Sequence, residues 1–265
     1  MGKRNMQMHR RTMLGFAAAA LLAPRVMAQS AAPVIAAASD LQFVLEEIAA
    51  GYRTQTGMNV ALSFGSTGNF ARQIRQGAPF EMFMAADEDF ILDLAHEGFT
   101  TDQGVLYGIG RIALMVPTGS VLLPDGSLDD LAAGLRDGRV THFAIANPEH
   151  APYGARAREA LQHKGLWEPI QSALVLGENV SQAAQFATSG NAQGGIIAQS
   201  LALSPKVSAL GTSALIPAEW HSPLRQRMAL LTAAGPEAKA FYSYLQGPIA
   251  RSAFDRAGFT LPMTG

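Results

Sequence analysis

The feature that most restricts the fold is a repeated handover, in which a short apolar run gives way to a helical pattern through small hydroxyl residues. The strand-like run Val34 to Ala37 passes through Ala38 into Ser39-Asp40-Leu41-Gln42, and the run Val60 to Phe64 passes into Gly65-Ser66-Thr67-Gly68. Beyond the first junction, Leu41, Leu45, Ile48 and Tyr52 recur at the spacing of one helix face. Ser39, with Gln42 three residues on, reads as a capping box. Strands that lead directly into helices predict an α/β protein with parallel strands, because parallel neighbours need a crossover and a helix is the usual one. Two such junctions can bring two helix N-termini to one point. That point carries unpaired backbone N–H groups, the positive ends of helix dipoles and side-chain hydroxyls, a set of donors suited to an anion.

The alternation continues along the chain. Met82 to Ala85 is strand-like and hands over to an acidic-headed helix, Asp87 to Glu97, which stops at Gly98. A long apolar stretch, Ile109 to Val116, runs into Pro117 and the turn-rich Leu123-Pro124-Asp125-Gly126-Ser127. Past it, strands at His142 to Ala146, Leu174 to Leu176 and Gly195 to Ala198 alternate with helices over 153–163 and 181–188. The apolar run Met228 to Leu231 matches the earlier stretch in character, and helices over Pro236 to Leu245 and Pro248 to Ala257 close the chain. Paired crossings near Ile112 to Val116 and Arg227 to Leu231 predict two lobes joined by a hinge. Residues 29–113 with 226–265 form lobe 1 and residues 114–225 lobe 2, with the ligand cleft between them.

Residues 1–28 read as a signal peptide. Met1 to Arg11 is basic and lacks acids, Met13 to Ala23 is apolar but too short to span a bilayer, and Val26-Met27-Ala28 fits a small-x-small cleavage site. Arg10-Arg11 before Thr12-Met13-Leu14 resembles a twin-arginine signal. Five of the twenty Lys and Arg residues leave with this segment, so the mature chain sets fifteen against twenty-one acids, a formal charge of −6. With no basic run, nucleic acid and anionic membranes are poor partners. The absence of cysteine excludes disulfides, thiolate metal sites, a cysteine nucleophile and a lipidated N-terminal cysteine. The expectation is a monomer with no membrane anchor, held in the periplasm because a freely diffusing exported binder needs an outer membrane to retain it.

Catalytic signatures are missing. There is no Gly-x-Ser-x-Gly elbow, Walker lysine loop or His-Glu-x-x-His, and the six histidines show no ligand spacing. Glu149-His150 offers at most half of a hydrolase pair, and Tyr242 and Tyr244, at i and i+2 of a helix, do not share a face for an iron site. A binding protein without a cofactor is the reading, with a secreted hydrolase as the remote alternative.

Several strings then carry a family resemblance: Ala36-Ala37-Ala38-Ser39, Ser63-Phe64-Gly65-Ser66-Thr67-Gly68, Ala85-Ala86-Asp87, Asn147-Pro148-Glu149-His150-Ala151-Pro152-Tyr153-Gly154, Gly177-Glu178-Asn179-Val180 and Phe241-Tyr242-Ser243-Tyr244-Leu245-Gln246-Gly247-Pro248. Their order over the whole mature chain resembles that of periplasmic molybdate-binding proteins. The resemblance implies a type II periplasmic-binding-protein fold and delivery of molybdate, and tungstate too, to an ABC permease with its ATPase. It also implies ligand-binding roles: Ser39 as the first hydroxyl donor, Thr67 with Ser66 beside it as the second, Tyr153 through its hydroxyl or backbone N–H, and Val180 through its backbone N–H. Many relatives donate a tyrosine hydroxyl where this chain has Ala198, and Tyr153 stands as its replacement.

Molybdate is a fully deprotonated tetrahedral dianion, so its oxygens only accept hydrogen bonds and a donor-only site pairs them without Lys or Arg. Phosphate carries a proton at neutral pH and rewards an acceptor carboxylate. Asp40 is therefore the residue to watch: buried, it favours phosphate or another oxyanion; turned to solvent, it lends only its N–H. The solvent-facing orientation is the expectation here. Rejection of sulfate, which is also fully ionised, falls to cavity size.

Overall fold

The computed structural model describes residues 32–262, with Gly2 before them. The expected signal segment 1–28, with its arginine pair and cleavage site, lies outside the described residues, Gly2 apart. From Val34 the chain alternates strand and helix: β1 (Val34–Ala38), α1 (Gln42–Thr56), β2 (Ala61–Gly65), α2 (Thr67–Arg75), β3 (Met82–Ala85), α3 (Glu88–His96) and β4 (Val105–Gly110). A second run follows with β5 (Ile112–Pro117), α4 (Asp129–Asp137), β6 (Phe143–Ala146), α5 (Pro152–His163), α6 (Trp167–Ile170), β7 (Leu174–Gly177), α7 (Val180–Thr188), β8 (Gly194–Ala198), α8 (Gln199–Ala202), α9 (Pro205–Ser208) and β9 (Gly211–Leu215). The chain then returns through β10 (Leu224–Leu230), α10 (Pro236–Leu245) and α11 (Pro248–Arg256).

These strands form two five-stranded mixed sheets with flanking helices, in the orders β2-β1-β3-β10-β4 and β7-β6-β8-β5-β9. The parallel pairing expected from the handovers holds for β2-β1-β3 and β7-β6-β8. It fails at β10 and β5, each of which runs antiparallel to both of its neighbours. These are the strands on which the chain enters a sheet from the other one, and no crossover helix dictates their direction. Strands β3, β6 and β8 are buried throughout, which is why they read as continuous apolar runs. Separate hydrophobic clusters pack on the two faces of the first sheet, around Leu45 and Phe241 on one and Phe83 and Leu94 on the other. A third, centred on Phe143 and Ile145, fills the second half.

The passages between sheets differ from expectation. The apolar stretch 109–116 is not one crossing strand, because it breaks at Gly110 and Arg111 into β4 of the first sheet and β5 of the second. Gly110 occupies a place where a Cβ would lie 2.3 Å from the Tyr153 hydroxyl and 2.7 Å from Gln226 Nε2, so no side chain fits there. The return passage is residues 216–223, and all of β10 belongs to the first sheet. Divisions at 113/114 and 225/226 thus fall inside β5 and β10. The two passages are tied together: Ile216 N donates to Ile112 O at 3.2 Å and Arg111 Nη2 to Ile216 O at 2.9 Å.

Helix α4 and strand β9 escaped the sequence reading. Asp125, read as part of a turn, accepts from Asp129 N at 2.8 Å and so caps a helix that begins four residues later. Between them Leu128 takes a left-handed φ of 60°, uncommon for a leucine and tolerated because its side chain is fully buried. Strand β9 is a half-exposed edge with few apolar residues, so its pattern is weak.

Candidate functional site

Four helical N-termini converge where the two halves meet. A 3-10 turn, Ser39–Leu41, follows β1 and runs into α1; α2 starts at Thr67, α5 at Pro152 and α7 at Val180. Ser39, Asp40, Ser66, Thr67, Tyr153 and Val180 all line one cavity between these ends, and alanine, glycine and proline complete its lining. Lys and Arg are absent from it. The space open to the centre of a water-sized sphere is about 10 Å³, room for roughly one water. A groove of about 390 Å³ between α1, α9 and α11 is far larger, but its charges are of both signs, Glu46 and Glu47 against Lys206 and Arg256, and Arg256 already pairs with Glu47 at 2.7 Å.

The hydroxyls are held by acceptance and keep their protons. Thr67 Oγ1 accepts from Ala86 N at 3.0 Å, and Ser39 Oγ accepts from Ser181 N at 3.3 Å. Ser66 Oγ is buried with no partner. Each hydroxyl therefore has its single O–H left to donate. Tyr153 is the second residue of α5 and Val180 the first of α7, so their N–H groups have no intrahelical acceptor. The cap of α7 is Asn179, whose side chain accepts from Gln182 N at 3.1 Å.

Three expectations need correction. Ser39 does not cap α1: its side chain accepts from Ser181 N in the second half, and Gln42 accepts from Ser181 Oγ at 3.0 Å instead of closing a capping box. Asp40 does not face solvent. It is 1% exposed, and its Oδ2 accepts from Tyr153 Oη at 3.0 Å and from Gln226 Nε2 at 2.8 Å, while Oδ1 has no partner. The Tyr153 hydroxyl thus spends its only proton on Asp40, which leaves the backbone N–H of Tyr153 as its donor toward the cavity. Burial decides the charge state of Asp40: desolvation pushes its carboxyl from the ordinary 3.8 to about 6, against the opposing hydrogen bonds from Gln226 and Tyr153.

The sequence reading missed Gln226 and Tyr107. Gln226, fully buried in β10, receives a bond from Tyr107 Oη at 2.7 Å and donates to both Asp40 and Tyr153. A lone glutamine between arginines gave little signal, since its burial follows from the sheet. Ser200 Oγ, donating to Asp40 O at 2.8 Å, was likewise illegible. Ala198 is wholly buried ahead of α8. Glu149 and His150 do not form a pair: Glu149 meets Arg158, and the His150 ring lies against Glu178. No group of three or more His, Asp or Glu side chains suited to a metal ion occurs among the described residues.

Further bonds join the two halves. Gly68 N donates to His150 O at 3.0 Å, and a Cβ at Gly68 would lie 2.7 Å from that oxygen. Arg156 pairs with Asp87 at 2.7 Å, Asn69 meets Glu178, and Ser181 Oγ donates to Ser39 O at 2.8 Å.

Comparison with known proteins gives a consistent result. Residues 33–260 match the family described as bacterial extracellular solute-binding protein. The chain is 36% identical over 237 residues to the molybdate-binding protein ModA of Azotobacter vinelandii, covering 88% of this chain and 92% of that one. It is 31% identical over 256 residues to the Escherichia coli ModA, covering 93% and 96%. The solved periplasmic molybdate-binding protein of Azotobacter vinelandii matches with a TM-score of 0.79 and 29% identity over 87% of this chain and all of that one. The sulfate-binding protein SubI of Mycobacterium tuberculosis shares the fold, with a TM-score of 0.70 at 14% identity over 86% of each chain.

Proposed function

We infer the function from one premise: the chain belongs to the bacterial extracellular solute-binding protein family and is homologous to the ModA molybdate-binding proteins. Its cargo in this reading is molybdate, with tungstate accepted too, captured in the periplasm by a monomer and delivered to an ABC permease driven by its ATPase. The observation that supports it best is the convergence of four helical N-termini and three hydroxyls with free protons on one cavity without Lys or Arg. Such a site offers an oxyanion dipoles and hydrogen bonds in place of a counter-ion. Ser39, Ser66 and Thr67 donate by hydroxyl, Tyr153 and Val180 by backbone N–H. The halves act as lobes, 32–110 with 224–262 against 112–215, that swing about the paired passages at Arg111 and 216–223 and shut on the ion.

Phosphate is the second reading, and one observation favours it: Asp40 Oδ1 is a buried acceptor without a donor. Calorimetric titration of the mature protein with molybdate, tungstate, sulfate and phosphate separates the two. The expected result is one molybdate or tungstate per chain at micromolar Kd or tighter, with sulfate and phosphate at least about a hundredfold weaker, roughly 2.7 kcal/mol. Phosphate binding tighter than molybdate moves the assignment to the second reading.

A further inference from the structure

The cavity read as an anion site has an acidic residue, Asp40, in its lining. Asp40 is 1% exposed, no cation pairs with it among the described residues, and one of its oxygens has no hydrogen-bond partner. The groups that face it are neutral. Tyr153 from α5 and Gln226 from β10 donate to Oδ2, Tyr107 from β4 stands behind Gln226, Ser200 from α8 donates to the Asp40 carbonyl, and α7 presents Ser181 to the neighbouring Ser39. Both tyrosines are held well above their ordinary value of 10, by burial first and then by the charge of Asp40, so they stay protonated across the working range. Asp40 is therefore the titrating group of this network near neutrality.

A dianion that enters the same cavity meets this negative charge in a medium that screens it poorly. Two like charges sharing a buried site cannot both persist, and the more basic one takes a proton. We propose that oxyanion binding in this cavity is coupled to the uptake of one proton by Asp40. The proton comes from solvent and adds to the carboxylate, so the site moves from ionised Asp40 without anion to neutral Asp40 with anion. The neutral carboxyl then has an O–H with which to satisfy the orphaned oxygen side of the group. Fully deprotonated oxyanions such as molybdate, tungstate and sulfate need this uptake. Hydrogen phosphate differs in that its own O–H can offer the carboxylate a hydrogen bond. Asp40 thus becomes a specificity-determining residue whose protonation state selects between two kinds of anion.

The inference rests on the oxyanion reading of the cavity but not on molybdate as the ion. Its test is calorimetry with sodium molybdate and sodium sulfate between pH 6.5 and 8, in pairs of buffers with different ionisation enthalpies. The expected result is uptake approaching one proton per anion at pH 7, with Kd weakening by close to tenfold per pH unit. Asp40→Asn should abolish the uptake and bind more tightly than the parent at pH 8. Tyr153→Phe, which removes one donor from the carboxylate, should raise the share already protonated and lower the uptake at pH 7, and it serves if the first variant does not fold. Molybdate binding with no proton exchange overturns the inference and leaves the molybdate reading standing. Binding of sulfate in place of molybdate, with uptake, does the reverse. Binding of neither overturns both.

Discussion

At the scale of single residues, two kinds of polar side chain meet in the cavity wall, and they have opposite effects. Ser39 and Thr67 accept backbone N–H groups and keep a proton for the ligand. Replacing either by alanine is expected to weaken molybdate binding by roughly 1.5–3 kcal/mol, since each removes a hydrogen bond to a charged group. Thr67→Ala also orphans the buried Ala86 N–H, so its unfolding free energy should fall by about 1–3 kcal/mol, whereas Thr67→Ser restores both properties. Titration and urea denaturation of the same three variants separate binding from stability; alanine variants that bind as the parent does would remove these hydroxyls from the site. Asp40, by contrast, costs stability when ionised. Its carboxyl titrates at about 6 in the folded chain against 3.8 as its ordinary value. Between those values the folded state holds more protons than the unfolded one, so stability falls as pH rises from about 4 to 6 and is flat above. The shift corresponds to roughly 3 kcal/mol as an upper bound. Asp40→Asn should therefore stabilise the ligand-free protein at pH 7.5 by about 1–3 kcal/mol and flatten that slope. Urea denaturation from pH 4 to 8 checks this, and an unchanged slope would sink it.

Among the elements, the junction between β2 and α2 shows how a glycine sets the distance between α2 and the loop before α5. Gly68 sits in the first turn of α2, and its N–H donates to His150 O on the loop before α5. A methyl group there would lie 2.7 Å from that carbonyl and force the two helix N-termini apart. Gly68→Ala is expected to weaken molybdate binding at least about tenfold, or 1.4 kcal/mol, while the ligand-free protein melts close to the parent. Gly154→Ala provides the contrast, because its Cβ would lie 2.2 Å from Ala146 O within one half. That variant should lose fold stability first, with thermal melting as the measure. Equal behaviour of the two glycine variants would mean that the Gly68 contact is part of the fold and not of closure.

Across the whole molecule, the cavity exists only because both halves supply it: Ser39 and Thr67 follow strands of the first sheet, Tyr153 and Val180 strands of the second. An ion held by all four is fully coordinated only when the halves meet, so ligand should draw them together. Small-angle scattering of the mature protein should give a smaller radius of gyration with saturating molybdate than without it; an equal radius in both states counts against closure. The sequence by itself determined the strand-to-helix junctions, since apolar runs, hydroxyls at helix starts and acidic or glycine ends are local signals. The bounds of β3 and α10 match the reading, and β1, α5 and α7 differ by a residue. It also determined that hydroxyls and helix starts would stand at those junctions, with the Asp40 carboxylate beside them. What only the tertiary structure decided was which partners these side chains take. Ser39 turned from its own helix to Ser181, Tyr153 was claimed by Asp40, and Gln226 arrived from β10, far along the chain. Desolvation depends on what packs around a group and not on its neighbours in sequence, so the burial that leaves Asp40 hard to ionise was fixed only when the two sheets came together.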